Sequence, residues 1–283
     1  MEAAFWDRVV ADGHKLPAGL PLADLTAELT TMLGSADPYQ RDAIAFPTLA
    51  TWVSGGVYDD LLEGLGDGMT AGLVVGIGEE GTDTVFRRSF SALVLAVALE
   101  RATTLATTTG TGLPDDTLLR WGDRLAGWLV RERDLRGFVL GKGWAHALAH
   151  GADALGALAE APAMGRLELT VLLDVIADRL LEPTRSRLVH GEDDRFAAAT
   201  LCILRRNLVG MAVLEPWVAR LADLSAPTPG GVDDPFLVTG NVQSYLRALH
   251  LQLALAPRPP ACRADLLLVL IGHLRTANHA YLR

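Results

Sequence analysis

Two histidines and one aspartate have spacings that bring their side chains together on a helix. His150 follows His146 by four residues, and Asp153 follows His150 by three. At about 100° per residue these positions share one side of a helix with Lys142. Imidazole changes its protonation near neutral pH, and a carboxylate can accept a hydrogen bond from its ring and raise its basicity. The pattern therefore predicts acid–base catalysis by His146, His150 and Asp153.

The opposite side of the same predicted helix is apolar and includes Trp144, Leu148 and Leu155. We expect these three side chains to be buried. The polar side is flanked by alanine and glycine, whereas a helix side that faces water usually carries Lys, Glu and Arg. Small neighbours let a ligand or another backbone come close. We therefore expect the polar side to line a concave pocket, and the alternative is that it simply faces water.

A metal site is the second interpretation of the two histidines. Their His-x3-His spacing resembles that of zinc proteases, but Ala147 stands where those enzymes have a glutamate. His146 and Asp153 lie roughly 10 Å apart along a straight helix, too far for Asp153 to complete the site. Glu192 or Asp194 would have to supply a third ligand. We expect no cofactor, with a divalent metal on His146 and His150 as the alternative.

The elements that position these residues are predicted to be helices. Nearly every apolar segment repeats at helical spacing and ends at Gly or Pro, and no segment alternates long enough to predict a strand. One helix is expected over residues 144–159. Consecutive helices with short connections favour an all-α fold of antiparallel helix pairs in a curved, solenoid-like, HEAT-like array. We expect a single domain over residues 1–283, with a Pro/Gly-rich internal link at residues 225–235.

Composition limits the partners and the compartment of the protein. The 283 residues are 50% hydrophobic and 21% charged, with a formal net charge of −9. An acidic chain is a poor ligand for nucleic acid or anionic membranes, so we expect neither as a partner. The uncharged apolar runs fall well short of a membrane span. Two cysteines and no basic leader at the amino terminus favour a cytoplasmic protein. The oligomeric state is left open.

Several short motifs resemble the pattern of a bacterial family, the domain of unknown function 2785 family. The longest is GKGWAHALAHGAD at residues 141–153. The others, in the same order as in the family, are RD and FPTL within residues 41–49, VFRRSF at 85–90, RDLRG at 133–137 and GEDDR at 191–195. The resemblance covers roughly residues 38–255. It implies a helical bacterial protein and carries no established activity.

Charged residues in these motifs are candidates for ligand binding. Arg87 and Arg88 interrupt an apolar helix, so we expect at least one to point inward and meet a carboxylate. Because the charged motifs accompany the histidine motif in the family pattern, we expect Arg136, Glu192 and Arg195 to lie near His150. The predicted binding residues are Arg87, Arg88, Asp134, Arg136, Lys142, Trp144, Glu192, Asp194 and Arg195.

The sequence predicts two alternative functions. The first is an acid–base enzyme of hydrolase or lyase type, with metal-assisted catalysis as the alternative. Its arginines would hold a small anionic or peptide-like substrate. The second is a non-catalytic helical-repeat module that binds a small molecule or a peptide in the same groove.

Overall fold

The chain folds almost entirely into α-helices. The computed structural model describes residues 3–225, 234, 236–279 and 281–282. Within these residues there are twelve α-helices and one short two-stranded hairpin, which confirms the all-α class. The arrangement of the helices as a curved, HEAT-like array stays a prediction.

The helices separate into two compact units, Met1–Ala154 and Leu155–Arg283. The division falls within one helix and not at the expected link. Residues 226–233 and 235 of that link lie outside the described residues. The single domain and its internal link therefore stay predictions.

The first unit contains seven helices and the hairpin within the described residues. Their bounds are α1 Ala3–Ala11, α2 Leu22–Met32, α3 Phe46–Ser54, α4 Leu62–Gly72, α5 Thr84–Thr108, α6 Asp115–Arg131, β1 Phe138–Val139, β2 Gly143–Trp144 and α7 Ala147–Glu160, which continues into the second unit. A π-helical segment, Tyr39–Ala45, runs directly into α3. Pro47 lies in the first turn of α3, a position at which the lack of a backbone N–H is tolerated.

Helix α5 forms the centre of the first unit. It packs against α3 and α4, and α6 packs against α4. The apolar side of α6 is buried, since Leu118, Trp121, Leu125 and Trp128 are at most 4% exposed. Among the described helices, α5 alone is long and apolar enough to cross a membrane, and half of its most apolar window is buried within the protein. Core helices share these properties, and we interpret α5 as a core helix.

The second unit contains five further helices within the described residues. They are α8 Arg166–Leu181, α9 Glu192–Arg205, α10 Met211–Leu224, α11 Phe236–Leu255 and α12 Arg263–Ala277. Helix α11 packs against α9 and α12, and α10 packs against α8 and α12. Pro216 lies inside α10.

The hairpin corrects the expected helix over residues 144–159. The antiparallel strands β1 and β2 pair Phe138 with Trp144, and α7 begins only at Ala147. Gly141 and Gly143 both have a φ of +77°, a left-handed conformation that suits a tight turn and interrupts a helix. Lys142 and Trp144 therefore belong to the hairpin and not to the helix.

Candidate functional site

The two histidines meet at the start of α7. His146 has a φ of +51° and immediately precedes the helix, where its carbonyl oxygen accepts a hydrogen bond of 3.0 Å from the N–H of His150. The backbone N–H of His146 donates to the carbonyl of Arg136 at 3.1 Å. The ring centroids of the histidines are 5.9 Å apart and the rings are nearly perpendicular. The spacing of four residues thus brings the imidazoles together, although only His150 lies within the helix.

His150 is a buried residue, with 6% of its surface exposed. Its ring packs edge-on against Phe90 of α5, with centroids 5.0 Å apart. Its Nδ1 atom lies 2.8 Å from the Oγ atom of Ser89, which also donates a hydrogen bond to the carbonyl of Ala145. Sequence analysis did not single out Ser89, and the available signal was its place in the VFRRSF motif.

His146 is half-buried beneath Trp144. The two rings are stacked, with centroids 4.2 Å apart and an interplanar angle of 29°. Trp144 itself is 41% exposed, so the prediction that it is buried was wrong. The reason is its position in the hairpin, whose direction does not follow the helix. The predictions for Leu148 and Leu155 are confirmed, because these side chains are 3% and 0% exposed.

Two other large apolar side chains are exposed on the hairpin. Phe138 contacts Trp144 edge to face at 5.0 Å and is 49% exposed. Leu140, near the tip of the turn, is 92% exposed. The hairpin therefore displays an apolar surface, formed by Phe138, Leu140 and Trp144, beside His146.

Arg41 anchors the turn of the hairpin. This residue is fully buried, and its Nη2 atom donates to the carbonyl of Lys142 at 2.7 Å. Its guanidinium group lies 4.1 Å from the centre of the Phe86 ring and pairs with Asp42. Burial raises the pKa of Asp42 against the opposing effect of Arg41. The side chain of Lys142, expected on the polar side of the helix, forms an exposed ion pair with Asp83 at 2.6 Å.

Arg88 forms a fully buried ion pair with Glu132. The distance from Nε to the carboxylate is 2.6 Å, and both side chains have no exposed surface. The terminal nitrogens of Arg88 donate to Glu132, to Thr84 and to backbone carbonyls between α4 and α5. The expectation of an inward-pointing arginine that meets a carboxylate is confirmed. These contacts occupy donors of Arg88, and its predicted role in ligand binding stays a prediction.

Asp134 and Arg136 fix the chain that enters the hairpin. Asp134 is fully buried, accepts a hydrogen bond from Arg136 Nε at 2.8 Å and accepts another from the backbone of Gly81 at 3.0 Å. The hydrogen bond between Asp134 and Arg136 raises the pKa of the Arg136 guanidinium. Because the carbonyl of Arg136 also holds His146, the pair contributes to the position of the histidine. The backbone of Arg136 thus contacts His146, whereas its side chain is bound to Asp134 and to the carbonyl of Thr82. The expected approach of Arg136 to His150 stays a prediction.

Arg87 and Asp153 are both half-buried in the first unit. Arg87 donates to the carbonyl of Thr30, near the carboxyl end of α2, and burial lowers the pKa of its guanidinium. A cation at the end of a helix is favoured by the helix dipole. Asp153 lies on α7, one turn after His150. Their predicted roles in binding and catalysis stay predictions.

The remaining predicted binding residues lie on α9, in the second unit. Glu192 is 2% exposed and accepts a hydrogen bond of 2.8 Å from the backbone of His190. Asp194 is exposed, and its carbonyl accepts a hydrogen bond of 2.9 Å from Gln252. Arg195 is also exposed. The approach of Glu192 and Arg195 to His150 stays a prediction.

The arrangement gives no complete metal site among the residues that the structure describes. Nowhere in this part of the chain do three His, Cys, Asp or Glu side chains form a group that could hold a metal ion. A metal bound by His146 and His150 would need a third ligand from elsewhere, and this metal site stays a prediction.

Two cavities lie in the second unit. One of about 460 Å³ is lined by His250, Leu274 and Arg275, among others. Another of about 280 Å³ lies between α8 and α10 and includes Trp217 and Arg220. Neither cavity is lined by His146 or His150, so the polar pocket expected around these histidines stays a prediction.

Comparison with known proteins gives one match. A family model described as "Protein of unknown function (DUF2785)" matches residues 73–251, a region that contains the hairpin and both histidines. No curated protein and no solved structure matches the chain significantly.

Proposed function

The chain belongs to the DUF2785 family, and from the geometry of its histidines we propose that it is an enzyme whose acid–base pair is His146 and His150. The substrate is a small anionic or peptide-like molecule, and the reaction is a hydrolysis or an elimination that needs proton transfer. The bacterial origin implied by the resemblance belongs to this proposal as well.

The proximity of two imidazoles in different surroundings carries the proposal. The ring centroids are 5.9 Å apart, and His150 is buried while His146 is half-buried. An acid–base pair needs one group that accepts a proton and one that donates it, and different surroundings favour different protonation states. This supports a catalytic pair more than a polar surface exposed to water.

Each residue of the site has a role in the proposed reaction. His150 is the base, and His146 is the second group that transfers a proton. Asp153, one turn along α7, stabilises the charge that His150 acquires. Trp144 contacts the substrate beside His146, and Arg87, Arg136 and Lys142 attract an anionic substrate. Glu192, Asp194 and Arg195 lie on α9, in the second unit, and their binding roles stay predictions.

Substitution of the histidines in a substrate screen tests the proposal. Wild-type protein and the variants H146Q, H150Q and H279Q are compared on chromogenic carboxylic esters, phosphate esters and peptide anilides. His279 is exposed and serves as the control. For an accepted substrate we expect H150Q to lose on the order of 10²-fold or more in kcat, and H279Q to retain the wild-type rate. Equal turnover by wild type and H150Q would contradict the proposal.

A non-catalytic binding module is the second candidate, and the apolar surface of the hairpin favours it. Phe138, Leu140 and Trp144 are 49%, 92% and 41% exposed, which is typical of a surface that contacts a partner. In this case W144A would lose affinity for a bound peptide or small molecule, while wild type would show no turnover of it. Isothermal titration with each compound of the screen distinguishes the two functions. The curved helical array expected from the sequence would supply the groove.

A cytoplasmic location, without nucleic acid or membrane as partner, is part of the same proposal. Cys202 and Cys262 form no disulfide bond in the described part of the chain, which suits a reducing compartment. The net charge of −9 opposes binding to polyanions.

A further inference from the structure

We propose that Ser89 is a positioning residue that fixes the tautomer of His150 and so makes Nε2 the basic nitrogen of the ring. The inference takes its catalytic meaning from the proposed function, but the tautomer itself is a property of the protein without substrate.

The hydrogen bonds of Ser89 determine the direction of each proton. Ser89 is fully buried in α5, and its Oγ atom contacts both the carbonyl of Ala145 and Nδ1 of His150. A carbonyl oxygen accepts hydrogen bonds and cannot donate one. The single hydroxyl proton of Ser89 therefore goes to Ala145, and the Oγ atom must accept the bond from His150.

The proton on the neutral ring of His150 then lies on Nδ1. A neutral imidazole carries one N–H and one lone pair, so the lone pair resides on Nε2. A partner that holds one nitrogen as a donor defines which nitrogen acts as the base or ligand. Ser89 is not placed as a nucleophile, because its proton is directed to Ala145 and its side chain has no exposed surface.

The contact also joins three segments of the first unit. Ser89 belongs to α5, Ala145 lies between the hairpin and α7, and His150 belongs to α7. The hydroxyl group of Ser89 thus holds the start of α7 against α5 and also orients the ring of His150. A serine fits here because a hydroxyl can donate and accept at once, which alanine cannot do.

Nitrogen NMR of histidine-labelled protein tests the inference without a substrate. At a pH at which His150 is neutral, we expect a pyrrole-type ¹⁵N shift at Nδ1 and a pyridine-type shift at Nε2, with H150Q providing the assignment. S89A should move the ring toward the Nε2–H tautomer. Ser91 is the matched control, because it is equally buried in α5 and its Oγ atom has no hydrogen-bond partner in the described structure. S91A should leave the His150 signals unchanged.

The wild-type spectrum alone can overturn the inference, so the test does not depend on the folding of S89A. A pyridine-type shift at Nδ1, or pyrrole-type shifts at both nitrogens at every accessible pH, would contradict it. An unchanged tautomer in S89A would do the same. If the Nδ1–H tautomer is found and the substrate screen shows no dependence on His150, the role of Ser89 in orienting the ring stands and the proposed enzymatic function fails.

Discussion

Leu148 and Leu140 are leucines of the same region with opposite surroundings. Leu148 is 3% exposed on α7, whereas Leu140 is 92% exposed near the tip of the hairpin. We expect L148A to lower the free energy of unfolding by about 2–5 kcal/mol, because it removes buried methyl groups and leaves a cavity. L140A should change it by less than about 0.5 kcal/mol. Urea unfolding of both variants measures the difference, and equal effects would place Leu148 at the surface.

The residues of the site differ in how far the sequence could predict them. The four-residue spacing was enough to predict that His146 and His150 meet, because this contact is local. The exposure of Trp144 was predicted wrongly, because it depends on the hairpin that carries it. Ser89 lies 61 residues before His150, and its contact requires the packing of α5 against the start of α7. No local spacing predicts such a contact.

The hairpin depends on two glycines with the same backbone angle and different neighbours. Both Gly141 and Gly143 have a φ of +77°, so a side chain at either position is strained by about 1–2 kcal/mol. A Cβ atom at Gly143 would also lie 3.0 Å from Arg41 and from Pro38, whereas Gly141 has open space. We expect G143A to destabilise the protein more than G141A in urea unfolding. Equal losses would show that the Arg41 contact does not constrain the hairpin.

The buried ion pair between α5 and the end of α6 gives a second prediction at the scale of elements. Glu132 has no exposed surface and contacts Arg88, Trp128 and the backbone of Asp134. E132Q should cost about 3–5 kcal/mol, because it leaves the charge of Arg88 buried without its counter-ion. The exposed pair of Arg220 and Asp178 provides the control, and D178N should cost about 0–1 kcal/mol. A cost for E132Q as small as that for D178N in thermal or urea unfolding would contradict the burial of the pair.

Most helices were predictable because they begin or end near glycine or proline. For example, α2 begins directly after Pro21 and α6 directly after Pro114. The strands were not predictable, because apolar and polar residues do not alternate along them. The strands β1 and β2 contain two residues each, too few to show a period of two. Arg41, which is distant in sequence, donates a hydrogen bond to the carbonyl of Lys142 in the turn between the strands. Because the local sequence does not show this contact, the pattern around Trp144 was interpreted as helical.

At the scale of the whole molecule, His14 is expected to make stability depend on pH. Burial lowers its pKa below the ordinary value of 6.5, and its Nδ1 atom lies 2.8 Å from Thr48 Oγ1. The unfolded chain then binds a proton more readily than the folded chain, so the contribution is present above about pH 6.5 and is lost as pH falls through the folded pKa. H14Q should reduce the decline of stability on acidification, measured by urea unfolding between pH 5 and 8, with H279Q as the control. An unchanged pH profile in H14Q would contradict this prediction.

The continuity of α7 bears on whether the molecule unfolds as one domain. The helix extends from Ala147 to Glu160, and its buried residues Leu148 and Leu155 belong to the first and second compact units respectively. A helix is cooperative along its length, so loss of one half destabilises the other. We expect L148A and the core substitution L249A on α11 each to lower the midpoint of a single unfolding transition. Hydrogen exchange of backbone amides in both units measures that transition. Two transitions, each shifted by only one of the variants, would show that the units unfold independently and that the single-domain prediction is wrong.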